Sequence, residues 1–182
     1  CNYIKRPIVE APLLKDVPEY PWPSSCELKI LTLTRLVKRK NIDSVIAALD
    51  ILKHERAVNF HYVIAGAGPA KDSLKEQVKE RGLCDCVTFL GKVSEGDKWA
   101  LMKTADLFVL PSLYVKGEGS IEGYGIVYIE SNAMGTPVIS GDTGGVCEAV
   151  IEMETGILCD GSAAGISQAV ARYLECSFNR QA

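Results

Sequence analysis

The chain predicts an α/β fold: a doubly wound, Rossmann-like parallel sheet in three α/β/α layers. Three observations predict it. After Leu28, short apolar runs alternate six times with amphipathic stretches, the rhythm of repeated strand–helix units. The apolar runs are continuous, as expected of strands covered by helices on both faces. The amphipathic stretches carry apolar residues at i, i+3, i+4 and i+7, which is helical spacing.

Taken in order, residues 1–27 hold Pro7, Pro12, Pro18, Pro21 and Pro23, five of the eight prolines. Proline removes a backbone donor and biases its predecessor away from helix, so this segment reads as an irregular lead-in or interdomain connector. Strands are predicted at Lys29–Thr34, Phe60–Ala65, Val87–Leu90, Leu107–Leu110, Pro137–Ser140 and near Gly156–Leu158. Helices are predicted at about 41–55, 70–81, 95–104, 124–134, 146–151 and 164–175. The first shows its face in Ile42, Val45, Ile46, Leu49 and Leu52. Residues 28–175 therefore form one domain, with 176–182 a tail that reads as truncated. The start, CNYIKRP, lacks Met and any signal-peptide layout, and reads as a piece of a longer chain.

Composition narrows the function classes. A length of 182 residues suits one domain, and 20 basic against 23 acidic residues give a net charge of −3. That balance carries no nucleic-acid footprint and little attraction to a membrane. No apolar run reaches spanning length. Seven cysteines at irregular spacing and only two histidines argue against a zinc site and for reduced thiols in the cytoplasm.

Ligands of open α/β sheets bind beyond the carboxyl ends of the strands. Arg35, Gly66, Gly91, Pro111 and Gly141 each fall just after a predicted strand. Arg35 and Lys40 lie five apart in TRLVKRK, placed to share the charge of a diphosphate. Gly117, Gly119, Gly123 and Gly125 let a backbone approach a ligand, and a helix beginning near Tyr124 would aim its positive end there. Glu122 and Glu130 flank that start with seven residues between them. A helix turns about 100° per residue, so eight steps separate their side chains by roughly 80° and fit two targets rather than one. Ile126, Val127 and Ile129 predict that the helix is packed on most sides, so Glu130 would need a partner. Other motifs are weaker. Gly66-Ala67-Gly68 is not completed to a dinucleotide fingerprint, because position 71 is Lys. Asp142-Thr143-Gly144 occurs once, whereas aspartic-protease chemistry needs two carboxylates. No D-x-D occurs.

Several blocks together resemble the C-terminal, donor-binding domain of a family-4 (group 1) retaining glycosyltransferase of GT-B fold. They are TRLVKRKNID (34–43), VIAGAGP (63–69), VTFLGKV (87–93), ADLFVLPS (105–112), EGYGIVYIESNAMGTPVISGDTGG (122–145) and ETGILC (154–159). One departure stands out: where the family commonly has Gly before the Arg and after the Lys, this chain has Thr34 and Asn41. Asn tolerates a left-handed backbone, so the turn can survive.

The resemblance implies a hexose transferred from a UDP- or GDP-linked sugar to an acceptor hydroxyl, in polysaccharide or glycolipid biosynthesis. It places Arg35 and Lys40 on the diphosphate and the backbone around Lys92 and Val93 on the nucleobase. Gly123, Tyr124, Gly125 and Ile126 lie along the donor, Glu122 is the catalytic-side residue by the sugar hydroxyls, and Glu130 meets the ribose. No cofactor and no metal are implied; the cations and the helix start would neutralise the leaving diphosphate. The partner would be an N-terminal acceptor domain of the same chain, which alone would bring the protein to the cytoplasmic face of a membrane. The 182-residue chain by itself is expected to be inactive. Two alternatives remain open at this point: a nucleotide-sugar-binding subunit that needs a partner chain, and a nucleotide-sugar epimerase of the same architecture.

Overall fold

The structure, a computed structural model, describes residues 11–113, 125–142 and 145–175. Six parallel strands form one sheet: β1 (Leu28–Leu33), β2 (Phe60–Ala65), β3 (Val87–Gly91), β4 (Leu107–Leu110), β5 (Val138–Gly141) and β6 (Gly156–Cys159). Their order is β3-β2-β1-β4-β5-β6. The chain winds outward from β1 in one direction and from β4 in the other, so the switch point lies between them. β1 lies at the centre, in register with the equally long β2 from Leu28↔Phe60 to Leu33↔Ala65.

Helices α1 (Ile42–Glu55), α2 (Lys71–Glu80) and α6 (Ala163–Glu175) cover one face. There Ile42, Val45, Ile46 and Leu49 of α1 and Ile166 and Val170 of α6 bury against Ile30, Tyr62, Val109 and Ile157. Helices α3 (Glu95–Thr104), α4 (Ile126–Ala133) and α5 (Val146–Ala149) cover the other, packing on Leu31, Val63, Phe108 and Val138. Successive strand residues thus feed opposite cores, which is why both must be apolar. At the centre, Tyr62 Oη donates to Thr32 Oγ1 at 2.7 Å, and Thr32 donates on to the Val109 carbonyl. Every polar atom in that buried relay has a partner, and burial pushes the Tyr62 hydroxyl above its ordinary pKa.

Residues 11–27 are irregular apart from a single 3₁₀ turn at Leu14–Asp16. They are nonetheless fastened to the domain: Trp22 Nε1 donates to Thr104 Oγ1 at 2.8 Å, Lys103 Nζ donates to the Val17 carbonyl at 2.6 Å, and Val17 is buried.

Candidate functional site

Two loops lie against each other beyond the carboxyl ends of β1 and β2. The Leu36 N–H donates to the Ala67 carbonyl at 3.0 Å, and the Ala70 N–H returns to the Leu36 carbonyl at 3.1 Å. Such close approach is possible only without side chains. A Cβ on Gly66 would overlap the Thr34 carbonyl oxygen, and one on Gly68 that of Leu36. Gly66 also has φ +140°, and its N–H donates to the Gly91 carbonyl at 2.6 Å, adding the loop after β3 to the stack. The result is a cavity of about 560 Å³ lined by Arg35, Gly66, Lys92 and Val93 among others. Three of the residues expected to meet the donor therefore share one pocket, and Arg35 is exposed there.

Lys40 ends a 3₁₀ turn at Lys38–Lys40 and is buried, whereas Lys38 is exposed. Asn41 follows with φ 58° and ψ 32°, the left-handed conformation that Gly usually takes. Its side chain does what Gly could not. Asn41 Nδ2 donates to the Pro111 carbonyl at 3.1 Å and to the Gly161 carbonyl at 2.7 Å. The Leu113 N–H donates to the Arg39 carbonyl at 2.8 Å. The Arg35–Lys40 loop is thereby tied to the segments that follow β4 and β6.

α4 starts at the same edge. Gly125 is its N-terminal cap at φ 64°, and a Cβ there would overlap the Tyr128 ring. Tyr128 Oη donates to the Leu110 carbonyl at 2.7 Å, and its ring meets Phe108 edge-on at 6.2 Å. These contacts correct one expectation. Ile126 is not packed but 48% exposed, while Tyr128 and Ser131 of α4 are buried and Val127, Ile129 and Glu130 are half-buried. The buried face includes Tyr128, which reaches β4, and the apolar Ile126 is left exposed. Glu130 does have the partner expected of it. Its Oε1 lies 2.9 Å from Lys98 Nζ, with the two side chains 18% and 13% exposed. Lys98 also pairs with Glu95 and lies 4.1 Å from the Trp99 ring centroid. Burial alone would lower its pKa, but the hydrogen bonds and charges of Glu95 and Glu130 prevail and hold it above the ordinary lysine value.

Lys98 has no counterpart among the sequence expectations. The only local signal was the spacing of Glu95 and Lys98, three apart on a predicted helix, which usually means a solvated pair. Glu122, Gly123 and Tyr124 lie outside the described residues. Among the described residues, no group of three or more His, Cys, Asp and Glu is placed to hold a metal ion, and no helix is long and apolar enough to cross a membrane.

Comparison with known proteins fits this geometry. Residues 23–182 match the family model described as glycosyl transferases group 1. The chain is 37% identical over 147 residues to a GDP-mannose-dependent alpha-(1-6)-phosphatidylinositol monomannoside mannosyltransferase of Mycobacterium tuberculosis, covering 80% of this chain and 38% of that protein. It is 32% identical over 154 residues to the glycogen synthase of the same organism, covering 84% and 35%. Among solved structures, sucrose-phosphate synthase from Thermosynechococcus elongatus superposes with a TM-score of 0.68 at 29% identity, over 82% of this chain and 36% of that one. The C-terminal domain of a group 1 glycosyl transferase from Francisella tularensis superposes with the same TM-score of 0.68 at 23% identity, over 90% and 80%. The chain thus spans little more than a third of the curated relatives, and it aligns almost whole with an isolated C-terminal domain. The pocket, the loops that shape it and the extent of the match agree: this chain belongs to the group 1 glycosyl transferases and has the fold of their C-terminal GT-B domain.

Proposed function

We propose that the chain is the donor-binding half of a retaining glycosyltransferase that moves a hexose from a UDP- or GDP-linked sugar to an acceptor hydroxyl. The observation that carries this reading is the pocket of about 560 Å³, where Arg35, Lys92 and Val93 meet at the carboxyl edge of the sheet. A cation and glycine-shaped backbone there suit a nucleoside diphosphate. Arg35 and Lys40 take the diphosphate, the backbone at Lys92 and Val93 reads the base, and Glu130 accepts from ribose hydroxyls. Gly123, Tyr124, Gly125 and Ile126 line the donor at the start of α4. Glu122 accepts from the sugar hydroxyls, in contacts that tighten as the glycosidic bond breaks. The leaving diphosphate is neutralised by these cations and the start of α4 without a metal. An acceptor-binding domain supplies the rest of the cleft, and the chemistry takes place on the cytoplasmic side.

Calorimetric titration with UDP, GDP and their hexose conjugates, with and without EDTA, tests this reading. Binding of at least one nucleoside diphosphate that tolerates EDTA, without sugar transfer to an added acceptor by the 182-residue chain, is the expected outcome. Failure of every nucleotide to bind, or robust transfer by this chain alone, would overturn it. Glu130→Gln should weaken nucleoside diphosphate and nucleotide sugar alike by roughly 1.5–3 kcal/mol. Glu122→Gln should spare the nucleoside diphosphate and mainly lower kcat when the acceptor domain is present.

A further inference from the structure

The ion pair between α3 and α4 has no role in the reading above. Lys98 lies in the first turn of α3, its N–H bonded to the Ser94 carbonyl, and the chain just before that turn is Val93, which lines the pocket. Glu130 is five residues past the cap of α4, about 7.5 Å along a helix that rises 1.5 Å per residue. Both helices begin at the carboxyl edge of the sheet, and the pair joins the first turn of α3 to the middle of α4.

Its two carboxylate partners are unequal. Glu95 is 71% exposed and its pairing is screened by water, whereas Glu130 is 18% exposed. Lys98 bonds Glu130 through Oε1, and among the described residues no bond to Oε2 is present. A carboxylate has about four acceptor positions, so one oxygen can be held by the lysine while the other faces a ligand. Trp99, itself buried, lies beneath the ammonium and limits where it can move.

We infer that Lys98 is a positioning residue of the donor site: by holding Oε1 of Glu130 it fixes the carboxylate so that Oε2 accepts from the ribose diol, and it thereby sets discrimination between ribo- and deoxyribonucleoside diphosphates. The inference rests on the donor-site reading. A flexible carboxylate would lose rotamer entropy on binding; one already clamped loses less, and its hydrogen bond to ribose is correspondingly stronger. The lysine does not touch the ligand. It acts through Glu130.

The test is calorimetry of the 182-residue chain with UDP and GDP and with their 2′-deoxy and 3′-deoxy analogues, for wild type, Lys98→Met, Lys98→Gln, Lys98→Arg, Glu95→Gln and Glu130→Gln. Thermal melting reports whether each variant folds. Lys98→Met and Lys98→Gln should each lower affinity for the ribonucleotide about tenfold and leave the deoxy analogues nearly unchanged, so that the ratio falls toward one. Lys98→Arg should restore most of the ratio, and Glu95→Gln should preserve it. A ratio unchanged in either folded neutral variant would overturn the positioning role. Discrimination lost in Glu130→Gln but intact in the folded Lys98 variants would remove Lys98 alone and leave the donor site standing. Absence of nucleotide binding by wild type would remove both.

Discussion

The two halves of the sheet's carboxyl edge are built by different means. Around β1, β2 and β3 the loops are shaped by what is missing: Gly66 and Gly68 let backbones touch, and peptide groups of neighbouring loops bond directly. Around β4, β5 and β6 side chains add to backbone bonds such as those from Leu113 N–H to Arg39 and from Asp142 N–H to Cys159. Asn41 reaches Pro111 and Gly161, and Tyr128 reaches Leu110. The first half resists a Cβ at Gly66 or Gly68. The second also admits none at Gly125 or Gly141, and resists in addition the loss of particular side chains.

Gly66→Ala attacks the first half and should do the greatest damage. The new methyl meets a backbone oxygen, which cannot swing aside, and φ +140° is unfavourable for any L side chain. A loss of about 3 kcal/mol or more is expected in urea unfolding, together with loss of nucleotide binding. Asn41→Ala attacks the second half. It removes two buried hydrogen bonds and places Ala at φ 58°, for an expected loss of about 2–3 kcal/mol. Asn41→Gly keeps the conformation, so the difference between the two variants isolates the backbone part. If Gly were no better than Ala, the side-chain bonds would carry the whole effect. Tyr128→Phe should cost about 1 kcal/mol, because the Leu110 carbonyl loses one buried donor and keeps the Ser112 N–H. Arg35→Ala should change stability least, within about 0.5 kcal/mol, since its side chain is exposed. It should still lower nucleoside diphosphate affinity about tenfold or more, and the separation of those two readouts sharpens the contrast between shape and chemistry at this edge.

The same contrast explains how far the sequence could be read. All six strands were visible because a doubly covered strand must be apolar throughout, a property of consecutive residues. Observed ends differ from the expected ones by about a residue, as where β1 stops at Leu33 and Thr34 turns into the loop. The glycine-shaped half of the site was readable for a related reason: Arg35, Gly66, Lys92 and Val93 each sit beside a local punctuation of the chain. Asn41 announced itself as a left-handed residue, but its bonds to Pro111 and Gly161, 70 and 120 residues away, left no mark in the neighbouring sequence. Lys98 was hidden in the same way, because its partner Glu130 is 32 residues distant. Ile126 shows the opposite failure. Hydrophobicity suggested burial, yet Ile126 is left exposed and the buried face of α4 includes Tyr128, which reaches β4.

The bonds made by Asn41 also bear on how the chain folds. β1 can pair with β2 as soon as α1 has formed, but Asn41 finds its acceptors only after β4 and β6 have docked, and closing loops of 70 and 120 residues comes late. Asn41 should therefore behave as a latch rather than a nucleus. In stopped-flow experiments, Asn41→Gly is expected to leave the refolding rate nearly unchanged and to accelerate unfolding, giving a φ-value near zero. The amide that holds the Arg35–Lys40 loop in place would then act as a kinetic brake on opening of the finished domain.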